Sequence, residues 1–237
     1  MPSSTSPREV MQLVDEQVKR WLAEQEKRKA QPRVTPEPPK PLITISREAG
    51  ANGTSLGRIV AKKLGFELWD QELVHRVAEE KGAPEALFAA VDERARSRIV
   101  DLLAGILMGD VGTETEYLAS LGRVFHSIAE HGSAVVVGRG AHYVLGPNEA
   151  LRVRVVAPLE ERVRVIAGTR RLGEREARAE VERIDQERVA FNRHHYGRNV
   201  ADPVFYDLIV NTGSFQLESA ADVVVAAYRA KFPGARN

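Results

Sequence analysis

The chain has no cysteine among its 237 residues. A disulfide framework and thiolate metal sites are thereby excluded, and a reducing compartment is compatible with the sequence without being required by it. An excess of charge of one sign is missing too, since 34 Lys and Arg stand against 33 Asp and Glu. That balance, with basic segments that lack interleaved aromatics, argues against a nucleic-acid partner, so any anion recognition has to come from local arginine clusters. No stretch approaches the roughly 20 consecutive apolar residues of a membrane span. The N-terminus MPSSTSPREVMQLVDEQ has neither a basic start followed by an apolar run nor a small-residue cleavage site. A soluble, cytoplasmic protein with no membrane partner is expected. What is present suffices for one full core with appendages, because 43% of the residues are hydrophobic.

Residues 1–31 read as an amphipathic helix entered at Ser6-Pro7, with Val10, Leu13, Val14, Val18, Trp21 and Leu22 at helical spacing. The helix is expected to dock on the core or to mediate dimerisation or another protein contact. PRVTPEPPKP, within a linker placed at 32–41, favours an extended connector. From there to residue 230 a single domain is expected. LITIS and SAVVVGRG suit buried parallel strands, and SLGRIVAKKLG is an amphipathic helix that Gly65 stops. FELWD, LRVRVVAP and YDLIVNTG supply further strands. Residues 84–131 read as largely helical around a break at MGDVGTET, 159–195 as helical and charged, and LESAADVVVAAYRAKF as a closing helix. Strands alternating with helices imply a parallel sheet, whose ligands bind beyond the strands' carboxyl ends. Functional residues are therefore expected just after Ser46, Asp70, Val137 and Val210.

ITISREAGANGTSLGRIVAKKLG has the build of a phosphate-binding loop: a strand, a glycine turn and a helix whose first N–H groups face the turn. Gly50 and Gly53 allow unusual backbone angles, and Thr54 and Ser55 bring hydroxyls to the helix start. The lysine that neutralises a transferring phosphoryl group is absent. Lys62 and Lys63 lie roughly 12–15 Å further along the helix and point away. Arg47, at the end of the first strand, is the nearer substitute, with an ion pair to Glu48 as the alternative.

These residues and those downstream resemble the cytidylate kinases, most closely the cytidylate kinase-like branch, over about 43–225. Gly53 falls where the cytidylate kinases proper have their lysine. LGFELWDQELVHR is similar to the segment holding an Asp and a monophosphate-binding Arg, here Asp70 and Arg76. VVVGRG looks like the Gly-Arg-Asp segment, with Arg139 in place and Gly140 where an aspartate reads substrate. LEERVRV resembles the start of the lid helix and places Arg162 and Arg164. RIDQER matches an Asp-x-x-Arg pair, Asp185 and Arg188, and YDLIVNTGSF carries Asn211 in place of an aspartate.

The resemblance implies a three-layer P-loop kinase fold with a five-stranded parallel sheet, a helical acceptor-binding insertion near 75–131 and a lid near 168–200. It implies ATP bound at Gly50, Ala51, Asn52, Gly53, Thr54, Ser55 and Arg162, and Mg2+ at Ser55 and Asp70, although Asp70 suits a helix cap equally. The acceptor, a small phosphorylated molecule and CMP or dCMP first, would meet Arg76, Arg139, Asp185 and Arg188, with Arg47, Arg139 and Arg188 catalytic. The adjacent His194 and His195 do not share a helix face, and are read as polar lid residues. The alternative is a nucleotide-binding regulatory protein with a degenerate loop and little or no kinase activity.

Overall fold

The computed structural model describes residues 6–30, 41–91 and 113–234. In chain order its elements are α1 (Pro7–Ala30), β1 (Leu42–Arg47), α2 (Gly53–Leu64), β2 (Glu67–Trp69), α3 (Gln71–Glu79), α4 (Ala83–Ala89), α5 (Thr113–His131), β3 (Ala134–Val137), α6 (Ala141–Val144), β4 (Ala150–Val156), α7 (Leu159–Arg170), α8 (Glu174–Tyr196), β5 (Leu208–Asn211) and α9 (Leu217–Lys231). They divide into two compact units. One holds α1 and the elements between Gln71 and Gly132; the other holds Pro41–Asp70 and the elements from Ser133 onward. The connector expected at 32–41 and the break at MGDVGTET lie largely outside the described residues.

The sheet unit has the expected five parallel strands, in the order β2-β3-β1-β4-β5. Strands that are covered on both faces read as continuous apolar runs, and β3, AVVV, is buried throughout. Side chains alternate between faces along β1 and β4. Ile43, Ile45, Val153 and Val155 join Leu56 and Val60 of α2 and Val224 and Tyr228 of α9 in one core cluster. Each such aliphatic side chain, fully buried, contributes about 1.5–3 kcal/mol. The other parity carries Thr44 and Ser46 on β1, in register with Arg152 and Arg154 on β4. The order of connection reverses beside β1, which sits between β3 and β4, so the crevice beyond its carboxyl end is the position where such sheets bind ligands.

The helical unit packs α1 on α3 and α4. Its buried stripe is Val10, Val14, Gln17 and Trp21, while Leu13 and Leu22 remain 45% and 44% exposed. Steps of four, three and four residues keep the buried set on one line of the helix; the two leucines fall on its flanks. Trp21 stacks on His131 at the end of α5, with ring centroids 3.9 Å apart.

Candidate active site

The loop after β1 is bent by two positive φ angles, 77° at Gly50 and 56° at Asn52. Alternation of this kind turns backbone N–H groups towards one concavity and makes an anion-binding nest. A side chain at Gly50 would in addition overlap the Arg162 carbonyl. The Asn52 side chain makes no cap to α2, so Gly53, Thr54 and Ser55 present first-turn N–H groups that no N-cap side chain covers.

The loop is held from behind. Ala49 N donates to Asp185 Oδ1 at 2.7 Å, and Thr212 Oγ1 donates to the Ala51 carbonyl at 2.9 Å. Arg162 donates to Asp185, to the Ala157 carbonyl at 3.0 Å and to the Ala49 carbonyl at 3.3 Å, and its Nε lies 3.4 Å from Glu48. Here Arg162 and Asp185 fix the loop to α7 and α8. Asp185→Ala removes the acceptor of both a loop amide and a guanidinium, and is expected to lower stability by about 1–3 kcal/mol, read as a fall in the thermal melting point.

Around this loop the structure gathers arginines from separate elements. Arg188 of α8 donates from Nη1 to the Arg47 carbonyl at 3.0 Å. Arg139, just after β3, has its guanidinium 5.2 Å from the centre of the Phe191 ring, and its buried Nε has no hydrogen-bond partner among the described residues. Burial pulls the Arg47 guanidinium down to about 9, and the positive charges of Arg188, Arg139 and Arg154 act in the same direction, with Asp70 opposing. Arg188 is likewise lowered, by burial first and then by Arg154 and Arg162, with Asp185 opposing. Cations held in this way favour an arriving anion.

Arg47 also accounts for Gly53. A Cβ built at residue 53 would stand 2.5 Å from the Arg47 Cβ and 2.9 Å from its Cγ, so the arginine stem fills the space over the turn. Gly140 has a comparable reason. Its φ is 74°, and a Cβ there would overlap the ring of Tyr196, whose hydroxyl donates to the Arg139 carbonyl at 2.7 Å. Tyr196, at the end of the charged helix α8, thus occupies the place an aspartate at 140 would need. No sequence pattern singles it out.

Arg76 lies on α3 in the helical unit, where its Nε donates to Glu72 at 2.7 Å. Asp70 follows β2 in the sheet unit and is partly buried. Among the described residues no cluster of three or more His, Cys, Asp or Glu could hold a metal, and no helix is long and apolar enough to cross a membrane. Arg154, which sequence reasoning passed over, was signalled by the Arg-Val-Arg alternation in LRVRVV near the carboxyl end of a strand.

A solved structure of an uncharacterised protein from Eubacterium ventriosum shares the fold, with a TM-score of 0.56 at 16% identity over 80% of this chain and 98% of that one. A 100-residue stretch is 34% identical to uronate isomerase of Corynebacterium glutamicum, and spans 42% of this chain but only 19% of that protein. Cytidylate kinase of Methanoculleus marisnigri is 30% identical over 186 residues, 78% of this chain and 92% of that protein. Cytidylate kinase of Methanothrix thermoacetophila is 25% identical over 80% of this chain and 98% of its own length. The profile of the cytidylate kinase-like family matches residues 42–214, and the chain belongs to that family.

Proposed function

We propose that the chain transfers the terminal phosphoryl group of ATP to a nucleoside monophosphate, with CMP and dCMP as the preferred acceptors. The observation that carries this reading is the group of guanidinium side chains, Arg47, Arg139 and Arg188, set by three separate elements around a nest-forming loop. In-line transfer brings two polyanions together, and a protein contributes mainly positioning and positive charge. The donor phosphates lie on the loop Gly50–Ser55, with Arg162 supporting the loop from behind. Arg47 supplies the charge that a loop lysine supplies elsewhere. Arg139 and Arg188 hold the acceptor phosphate, with Asp185 beside them, and Arg76 enters through its match to the family motif alone.

Ser55 and Asp70 suit Mg2+, which takes few protein ligands and keeps water and substrate oxygens for the rest of its shell. Bound there, the ion would neutralise phosphate charge. The reading is tested by transfer from labelled ATP with magnesium to a panel of nucleoside monophosphates, alongside a direct ATP titration. CMP and dCMP are expected to be phosphorylated at turnover rates of about 1–100 per second. ATP binding without transfer to any member of the panel would overturn it in favour of a nucleotide-binding regulator.

A further inference from the structure

The polar face of the sheet carries two arginines of β4 in contrasting surroundings. Arg152 is matched by Asp207, with Nη2 donating to Oδ1 at 2.8 Å and Nε to Oδ2 at 3.2 Å. Arg154, only 9% exposed, donates from Nη1 to the Ser46 hydroxyl at 2.8 Å, but its Nη2 stands 4.0 Å from Glu48 Oε1. Glu48 is already engaged, since its other oxygen accepts from Ala157 N at 3.2 Å and lies 3.4 Å from Arg162. Ser46 Oγ in turn meets the Tyr206 hydroxyl at 3.3 Å, and the Tyr206 ring centre is 5.9 Å from the Arg154 guanidinium carbon.

A hydroxyl fixes a guanidinium in direction without neutralising it, and a carboxylate 4.0 Å away that is shared with Arg162 compensates the charge only in part, which favours an arriving anion. The charge is felt locally. The buried His142 imidazole is held down to about 3, by burial first and then by Arg154 and Arg152. Arg154 pairs in register with Ser46, the residue before Arg47, and so stands at the same carboxyl end of the sheet as the other arginines.

We propose that Arg154 is an additional binding residue for the phosphate monoester of the acceptor, held ready by Ser46 and Tyr206. The proposal rests on the phosphotransferase reading for the identity of the acceptor, but not for the capture of phosphate. Arg154→Met and Arg154→Lys are compared with the wild type in two experiments. Inorganic phosphate is titrated by phosphorus NMR line broadening with the donor site filled by a non-hydrolysable ATP analogue, and steady-state kinetics are measured with CMP. Loss of one charge-assisted contact is expected to weaken phosphate binding and raise the KM for CMP by about 10- to 100-fold in Arg154→Met. ATP affinity and kcat should change far less, and Arg154→Lys, which keeps the charge without the planar fork, should recover part of the loss.

Unchanged phosphate affinity in Arg154→Met overturns the assignment, as does a loss of ATP affinity equal to the loss for the acceptor. Should Arg154→Met fail to fold, the same titration on Arg154→Lys decides, and affinity equal to that of the wild type overturns the proposal. A wild type that transfers to no monophosphate would defeat the functional reading, while the phosphate titration would still decide the role of Arg154.

Discussion

Arg47→Ala is expected to lower kcat for phosphoryl transfer by about 100- to 1,000-fold, the loss that follows removal of a preorganised charge from a transition state. The fold should survive, because Arg47 is costly to the free protein. Its guanidinium is pulled down to about 9 by burial and by three neighbouring arginines. A group whose proton affinity is lower folded than unfolded destabilises the fold while it is charged. That cost is fully present below about pH 9 and fades as the pH rises towards the unfolded value. Near neutral pH, Arg47→Met, which keeps a stem over Gly53, should therefore melt at or above the wild-type temperature. Turnover equal to wild type in Arg47→Ala would remove Arg47 from the mechanism.

Restoring the lysine of an ordinary phosphate loop should inactivate this one. In Gly53→Lys the new Cβ lands 2.5 Å from the Arg47 Cβ. One of the two side chains has to leave, with an overpacking cost of about 1–3 kcal/mol and displacement of the charge it was meant to reinforce. A loss of turnover of about 100-fold is expected for the single variant. The double variant Arg47→Gly with Gly53→Lys removes the overlap and supplies a cation from the usual position. It should regain a substantial part of the activity, and a cycle over the four proteins measures the coupling. If the double variant is as poor as the product of the two single losses, the arginine and the lysine are not alternative solutions to one problem.

Sheet and loop were legible because their signals are local. LITIS and AVVV are short, β-branched and bounded by turn residues, and Gly50 and Gly53 stand where a strand turns into a helix. Arg47 was legible from its place at the end of the first strand, whereas Arg76, Arg139, Arg162 and Arg188 stood out only by their order along a family pattern, since taken singly each reads as a surface charge. The Arg-Val-Arg alternation marks Arg152 and Arg154 alike, and what tells them apart is a contrast that no spacing expresses: Arg152 meets Asp207, 55 positions away, and Arg154 meets a hydroxyl 108 positions away. Tyr196 escaped for the same kind of reason, as its partner Arg139 is 57 residues distant. The grouping of α1 with α3, α4 and α5 joins segments on either side of the first strand, and no local period announces it.

The two-faced character of β1 and β4 reaches beyond ligand binding. Sliding β4 by one residue against β1 would send Arg152 and Arg154 among the aliphatic side chains of α2 and α9 and turn Val153 and Val155 towards Ser46 and Tyr206. Stranding even one such charge in an apolar core costs more than most single packing errors. The two arginines of β4, one paired with Asp207 and the other proposed to meet phosphate, also mark the correct pairing of the central strands, so that selection for their charge and selection against mispairing fall on the same positions.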